Sequence, residues 1–181
     1  ARQIADELNI SKPSSREAIL VAARRYKKTL DKEAVYEQKI QALFAQSELE
    51  IMNRIAVFIL DKSISLDDIQ QLHKHVHKES GTLYFLEGSD NYTILTQERY
   101  IQNVEDRCKS KIIKMHKHLA LINFKSPKNI ESLPGVLAYL TSLFAVNDVN
   151  IIEFMSCWTD TLFVIDNKDA TKAMNFLQFS A

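Results

Sequence analysis

The stretch that decides the fold is residues 118–165, HLALINFKSPKNIESLPGVLAYLTSLFAVNDVNIIEFMSCWTDTLFVI. Its apolar runs are short and bounded by turn residues, a pattern typical of strands. Leu133-Pro134-Gly135 opens a helix, because proline suits the first turn and the following apolar residues share one face. The predicted strands are residues 118–125, 150–154 and 161–165, and the predicted helices begin at residues 133 and 170. The order is therefore β-α-β-β-α.

The residues before this stretch repeat the same order of elements. The predicted strands there are residues 55–60, 82–86 and 92–95, and the predicted helices are residues 66–77 and 99–108. Corresponding positions keep a nearly constant spacing: Ile55 and Ala120 lie 65 apart, Leu83 and Ile151 lie 68 apart, and Ile94 and Phe163 lie 69 apart. A spacing that drifts by a few residues, as loop insertions produce, predicts two copies of one unit.

The copy that carries Leu133-Pro134-Gly135 resembles the ACT domain, a small module that usually senses amino acids. The resemblance implies an α+β fold with two ferredoxin-like βαββαβ units, each with an antiparallel sheet and both following a helical head. We predict a first, degenerate ACT-like unit over residues 47–115 and a second unit over residues 116–181.

Each βαββαβ unit needs a fourth strand. Residues 111–115 can supply it for the first copy, but only residues 178–181 remain for the second. We therefore expect either that the chain continues beyond residue 181 or that a partner covers an open sheet edge. The second alternative predicts side-by-side pairing of sheets, either in a homodimer formed through the ACT-like sheets or between the two copies within one chain.

The start of the helix at Pro134-Gly135 is the predicted binding site for a small amino acid. Free backbone N–H groups at a helix start attract a carboxylate, and glycine lets a ligand approach the backbone closely. In ACT domains the ligand often lies between this loop and the second strand of a neighbouring unit. By that resemblance one wall comprises Ser126, Asn129, Ser132, Gly135 and Val136, and the other comprises Asn147, Asn150 and Ile151. Alternatively, the units bind no ligand and only dimerise.

Residues 1–46 form a predicted basic head. Residues 1–30 contain seven Lys/Arg and three Asp/Glu, a balance of +4, and because the whole chain sums to zero the remainder carries −4. A short helix over residues 1–9, a break at residues 11–15 and an amphipathic helix from Arg16 to Leu30 resemble a helix-turn-helix or winged-helix domain that begins before Ala1. The DNA contacts that this resemblance implies are Lys12, Ser14, Ser15, Arg16, Arg24, Lys27 and Lys28. The alternative is a solvated face on a dimerising helix.

The region between head and first copy leaves two interpretations open. Residues 35–44 continue helically, and residues 47–60 then become strand-like. Glu48–Ile51 either pairs with residues 54–60 or serves as the wing of the head.

Composition excludes several classes of function. With three glycines in the whole chain, neither a P-loop nor a dinucleotide-binding fingerprint can form, and we expect no cofactor. No apolar run approaches the ~20 residues that cross a bilayer, so we expect no membrane partner. Cys108 and Cys157 have no CxxC neighbour, which favours reduced, partly buried thiols in a cytoplasmic protein.

Catalytic and metal sites are not predicted either. His73 and His77 can share a helix face and ligate a metal, but a solvated polar face is the preferred interpretation. No Ser/His/Asp or Cys/His set is recognisable, and head and units together leave no room for an enzyme domain, so we predict no enzyme.

The sequence thus predicts an amino-acid-responsive regulatory protein, one that binds DNA and controls transcription as a dimer. The alternative is a regulatory subunit that does not bind DNA and docks on an enzyme of amino-acid metabolism.

Overall fold

A computed structural model of the chain describes residues 13–179, and the side chains of all of these except residues 13–16 and 28–35. The helices are α1 (Pro13–Phe44), α2 (Leu66–Lys78), α3 (Ile101–Cys108), α4 (Val136–Val146) and α5 (Ala170–Phe176). The strands are β1 (Glu48–Asp61), β2 (Leu83–Glu87), β3 (Asn91–Gln97), β4 (Ile112–Lys125), β5 (Ile151–Cys157) and β6 (Asp160–Asp166). The predicted α+β class with antiparallel strands is confirmed.

The six strands found within residues 13–179 belong to a single antiparallel sheet, in the order β2-β3-β1-β4-β6-β5. The two central strands, β1 and β4, are 14 residues long and pair with each other along most of their length. The expectation of a separate sheet for each unit is therefore not confirmed, and strands of both predicted units share one sheet within one chain. The reason is that one pair of long strands serves both ends of the sheet.

Each central strand bends at one residue with left-handed backbone. Arg54 in β1 has φ 57° and His118 in β4 has φ 58°, and the pairing of β1 with β4 shifts register at this level. The bends divide the sheet into two halves. The first half comprises β2, β3, Ile55–Asp61 and residues 112–117, and the second half comprises β5, β6, Glu48–Asn53 and residues 119–125.

The two halves repeat one another in register. Phe58 pairs with Ile94 in the first half, and Ile122 pairs with Phe163 in the second. The helices that follow also end alike, because Gly81 N–H donates to Val76 and Val149 N–H donates to Phe144. The residues before these donors, Ser80 and Asp148, are both left-handed and lie 68 residues apart. This is the spacing that the sequence predicts for Leu83 and Ile151.

The sheet curls, so that helices cover one face and the other face closes on itself. Ala56, Phe58 and Leu60 pack against α2 and α3, while Ala120, Ile122 and Phe124 pack against α1, α4 and α5. The opposite face forms a third cluster that combines both halves, with Val57 and Leu95 from the first and Leu121, Leu162 and Val164 from the second. The molecule is therefore layered as helices, sheet, sheet and helices.

Two ionisable side chains mark where the halves meet. Burial raises the pKa of Tyr84 in β2, and the nearby carboxylate of Asp160 in the second half raises it further. Burial also raises the pKa of Glu153 in β5, against the opposing influence of His116 in the first half. Tyr84 and Glu153 thus lie close to charged or titratable groups of the other half.

The fourth strand of the second half comes from an unexpected place. Glu48–Asn53 pairs with Ala120–Lys125, so the beginning of β1 occupies the position for which residues 178–181 were considered. Both alternatives for Glu48–Ile51 are wrong, because these residues pair neither with residues 54–60 nor with a wing. β4 also runs through residues 115 and 116, the predicted domain boundary. The division into three domains stays a prediction.

The head differs from its prediction in the part that the structure describes. One continuous helix of 32 residues, α1, replaces the predicted pair over residues 16–30 and 35–44. The predicted first helix, residues 1–9, and residues 11–12 of the predicted turn lie outside the described residues, whereas residues 13–15 of that turn belong to α1. A winged-helix head is therefore not confirmed. Within residues 13–179, no helix combines the length and the apolar character needed to cross a membrane.

Candidate ligand-binding cleft at the start of α4

The start of α4 has an unusual backbone for a helix N-cap. Gly135 occupies this position with φ 87°, a left-handed conformation that favours glycine, and no side chain caps the helix. At the start of α2, by contrast, the Ser65 hydroxyl accepts a hydrogen bond from the Asp67 N–H at 3.2 Å. The positive end of α4 is therefore free of a side-chain cap, whereas that of α2 is not.

A cleft of about 460 Å³ opens beside this helix start. One wall is the chain from the short 3-10 turn Lys128–Ser132 into α4, and the other is the hairpin of β5 and β6. The lining residues are Ile130, Glu131, Leu133, Gly135, Val136, Leu137, Phe154, Ser156, Trp158 and Thr161. We call this space the α4 cleft.

The hairpin wall is built by alternation along β5. Phe154 and Ser156 lie two residues apart and therefore point to the same side of the strand. Ser156 pairs with Thr161 of β6, whose side chain is buried. Trp158 occupies the turn with φ 51°, and the Lys128 ammonium lies 5.3 Å from the centre of its indole ring.

The α4 cleft offers complementary groups for a free amino acid. The uncapped N-terminus of α4 attracts a carboxylate, and the Glu131 carboxylate at the same wall attracts an ammonium group. Leu137, Phe154 and Trp158 add large apolar surfaces, of which 44%, 38% and 59% remain exposed. The cleft therefore suits a zwitterion with an apolar side chain.

The structure brings only part of the predicted site together. Gly135 and Val136 line the cleft, but Ser126, Asn129 and Ser132 do not. Ser126 is buried beside β1 instead, where its N–H donates to Thr159 and its hydroxyl accepts from Ser47 at 3.2 Å.

The predicted second wall lies at the far end of α4. The Asn147 amide donates to the Leu143 carbonyl at 2.8 Å and closes the helix C-terminus, and Asn150 and Ile151 follow it. The 11 residues of α4 separate the two predicted walls within one chain. Joining them requires two different units, and this arrangement stays a prediction.

Four important lining residues were not predicted: Glu131, Phe154, Ser156 and Trp158. The alternation of Phe154 and Ser156 in a strand was a usable signal, as was a lone tryptophan in a hairpin turn. Sequence reasoning missed them because their relation to Gly135 depends on how the hairpin lies against α4.

An equivalent cleft of about 380 Å³, which we call the α2 cleft, lies beside α2 in the first half. Phe85 lines it as Phe154 lines the α4 cleft, and both phenylalanines are 38% exposed. Its helix start is capped by Ser65 and carries Asp67 and Asp68, which disfavour a carboxylate. The two halves thus have similar shapes and different electrostatics.

The Pro134-Gly135 turn also borders a groove between α1 and α4, of about 840 Å³, which we call the α1 groove. A Cβ atom on Gly135 would lie 3.6 Å from Cδ1 of Ile40 in α1. The Gln41 amide of α1 donates to the Tyr139 hydroxyl of α4 at 3.3 Å. The same turn is therefore a wall of the α4 cleft and a contact of α1.

The predicted DNA-binding residues are only partly described. Arg24 and Lys27 are exposed on α1. Lys12 lies outside the described residues, and the side chains of Ser14, Ser15, Arg16 and Lys28 are not described.

The histidines and cysteines show no metal centre in the described part of the chain. His73 and His77 stack with ring centres 6.1 Å apart, and no group of three or more His, Cys, Asp or Glu residues there is arranged to hold a metal. Cys108 is buried, and burial raises its thiol pKa. Cys157 is exposed, contrary to the expectation of partial burial, because it ends β5 at the hairpin turn.

No protein-family model matches the sequence, and no curated protein matches it. Solved structures do match. The ligand-free regulatory subunit of aspartate kinase from Thermus thermophilus is 12% identical with a TM-score of 0.54, over 71% of this chain and 92% of that one. Aspartate kinase from Clostridium acetobutylicum is 11% identical with a TM-score of 0.56, over 71% of this chain.

The chain covers 33% of the length of the Clostridium enzyme. A Vibrio cholerae protein of unknown function, described as a possible transport protein, is 12% identical with a TM-score of 0.56, over 81% of this chain and 99% of that one. At such identities the likeness shows the fold alone, which this chain shares with the regulatory subunit of aspartate kinase.

Proposed function

We propose that this chain is a regulatory protein that binds a free α-amino acid with an apolar or aromatic side chain in the α4 cleft. The observation that carries the proposal is the juxtaposition of an uncapped helix start, the Glu131 carboxylate and the apolar surfaces of Phe154 and Trp158. The likeness to regulatory domains of aspartate kinase supports a role in regulation, and we infer that each half of the sheet corresponds to one ACT-like unit.

The output of binding is carried by α1. A ligand at the α4 cleft contacts the Pro134-Gly135 turn, and the same turn supports Ile40 near the C-terminal end of α1. A ligand that prefers one position of this turn therefore also prefers one position of α1. In the proposed function α1 and the exposed helix faces dock on a protein partner, an enzyme of amino-acid metabolism.

The direct test is a thermal-shift screen of the full chain against the twenty amino acids. A ligand at about 100 times its Kd stabilises the folded state by ~2.7 kcal/mol, which is readily seen as a higher Tm. We expect shifts from amino acids with large apolar side chains and none from their amides or from the corresponding amines. No shift with any amino acid would contradict the proposal.

Matched variants locate the ligand. Phe154→Ala removes apolar surface from the α4 cleft and is expected to weaken binding about tenfold or more, since ~1.4 kcal/mol corresponds to a factor of ten. Phe85→Ala is the control, because Phe85 has the same exposure in the α2 cleft. Equal losses in the two variants would place the ligand elsewhere. Glu131→Gln is expected to weaken the binding of zwitterionic amino acids while leaving the fold intact.

DNA binding is the second candidate output. It is favoured by Arg24 and Lys27, which are exposed on the part of α1 that projects from the sheet. The test is fluorescence anisotropy with random duplex DNA. The affinity of the chain for this DNA should fall as the salt concentration rises. If the chain binds DNA in a salt-dependent way and Arg24→Gln and Lys27→Gln weaken that binding, DNA is favoured over a protein partner. If the chain shows no affinity for DNA and captures an enzyme instead, the docking subunit is favoured.

Dimerisation through the sheet remains part of the proposal. β2 and β5 are the two edge strands, and each carries an exposed phenylalanine, Phe85 or Phe154. Edge strands with apolar side chains pair readily with another copy. Such pairing would bring a neighbouring β2 or β5 to the α4 cleft, as the predicted second wall requires.

A further inference from the structure

α1 is much longer than its contact with the rest of the molecule. Its 32 residues span about 48 Å at 1.5 Å per residue. Ile40, Leu43 and Phe44 in its last turns are buried in the core beside α4 and β4. Among the side chains described before them, residues 17–27 and 36–39 are exposed except for half-buried Ile19. Most of α1 therefore projects away from the sheet.

The projecting part continues the buried stripe of α1. Ile19, Ala22 and Tyr26 follow the spacing i, i+3 and i+7, and the same seven-residue pattern passes through the polar residues Thr29 and Glu33 before it reaches Tyr36, Ile40 and Leu43. Tyr26 is 65% exposed and Tyr36 is 43% exposed. The face that packs on the core near Ile40 thus carries exposed apolar residues again at the described start of the helix.

The α1 groove has the form of a helix-binding site. Its lining includes three small residues, Gly135, Ala138 and Ser142, which let another backbone approach closely. Tyr36, Tyr139 and Val146 also line it, and Val146 is 76% exposed. A groove lined by apolar and small residues accepts the apolar face of an amphipathic helix.

Charge favours a second copy of α1. Residues 16–28 carry five cations and one acid, whereas residues 31–39 carry three acids and two cations. Glu37 lies on the wall of the groove. In an antiparallel pair the basic first part of each helix lies beside the acidic later part of the other, and a parallel pair would place like charges together.

We propose that two copies of this chain pair through α1 in an antiparallel, two-fold arrangement, with Ile19, Ala22 and Tyr26 of each copy in the α1 groove of the other. This surface is separate from the edge strands β2 and β5. It is formed by α1, α4 and the Pro134-Gly135 turn, and its test uses no amino acid.

Cross-linking of the full chain tests the pairing. The variant combines Ala23→Cys and Glu37→Cys with Cys157→Ser, which removes the exposed native thiol. The two new thiols lie on one side of the proposed contact between the two copies of α1. On one helix they are about 21 Å apart at 1.5 Å per residue. A short bismaleimide cannot join them within one chain. We expect a covalent dimer from the double variant at least ten times more abundant than from either single variant. Equal cross-linking by a single variant would indicate a parallel or different pair, and no cross-linking of a folded double variant would also overturn the proposal.

A substitution that blocks the α1 groove provides a second, independent test of the pairing. Ala138→Arg places a long charged side chain in the lining of the α1 groove and is expected to reduce the cross-linked dimer at least tenfold. Thr171→Arg, which adds the same side chain to an exposed position on α5, is the control and should leave the yield unchanged. If Ala138→Arg has no effect while circular dichroism shows native folding, the groove is not the site of pairing.

Discussion

Gly81 lies where the chain leaves α2 and passes under the ring of Tyr100. A Cβ atom at this position would lie 2.5 Å from Cε2 of Tyr100, and the ring is 1% exposed and cannot move aside easily. We predict that Gly81→Ala lowers the free energy of unfolding by about 1–3 kcal/mol, the usual cost of overpacking a core. Urea denaturation measures it. Gly88→Ala is the control, since its nearest contacts are at 3.3 Å, and an equal loss there would contradict the explanation.

Glu153 gives the fold a pH dependence at the boundary between the halves. Burial raises its pKa in the folded state, so the stability that it contributes is full below the unfolded pKa of about 4.3 and is lost as pH rises through the folded value. We predict that Glu153→Gln has the Tm of the parent near pH 4 and a higher Tm at pH 7. Calorimetry across this range measures the difference. Glu48→Gln, at an exposed position at the start of β1, controls for net charge, and the same gain in both would refute the role of burial.

At the scale of elements, the two bends of the central strands offer a matched comparison. Arg54 and His118 have nearly equal positive φ, but the His118 N–H donates to the Glu98 carboxylate at 2.6 Å and its ring lies 3.2 Å from the same oxygen. Left-handed backbone costs a residue with Cβ about 1–2 kcal/mol, part of which glycine recovers. We predict that Arg54→Gly raises the free energy of unfolding by about 0.5–1 kcal/mol.

His118→Gly should gain less than Arg54→Gly, because it removes the ring beside Glu98. Arg54→Ala keeps the Cβ and is the control, with no gain expected in chemical denaturation. A loss of stability in Arg54→Gly would show that the arginine side chain, and not the backbone, matters at this bend.

Helices and strands could be predicted from the sequence where the residue pattern that specifies them lies within a short stretch of chain. The repeated order of strands and helices and the spacing of 68 to 69 residues follow from alternation, helical periodicity and turn residues within short windows. The assignment of Glu48–Asn53 to the second half could not be predicted this way, because strand partners are chosen by contacts some 70 residues away. In the same way Gly135 and Val136 follow from the Pro-Gly signal, whereas Phe154 and Trp158 reach the cleft only through the packing of a hairpin on α4.

At the scale of the whole molecule, the sharing of β1 makes the second half depend on residues that precede the first. Leu49 and Ile51 pack against the core of the second half. We predict that a fragment of residues 36–181 unfolds cooperatively, and that a fragment of residues 55–181, which lacks this strand, shows no cooperative transition. Circular dichroism during heating compares them. A sharp transition in the shorter fragment would show that Glu48–Asn53 is dispensable.

The bent central strands also set the order of events during synthesis. Glu48–Asn53 leaves the ribosome before any residue of the first half, yet its partners at residues 120–125 emerge only after that half is complete. Contacts so distant along the chain raise the contact order and slow folding. Until they form, the start of β1 is an unpaired, partly apolar segment on the nascent chain, where chaperone binding and aggregation compete with folding. We therefore expect the first half to fold during translation and the second to wait for release of residue 125 and the hairpin beyond it.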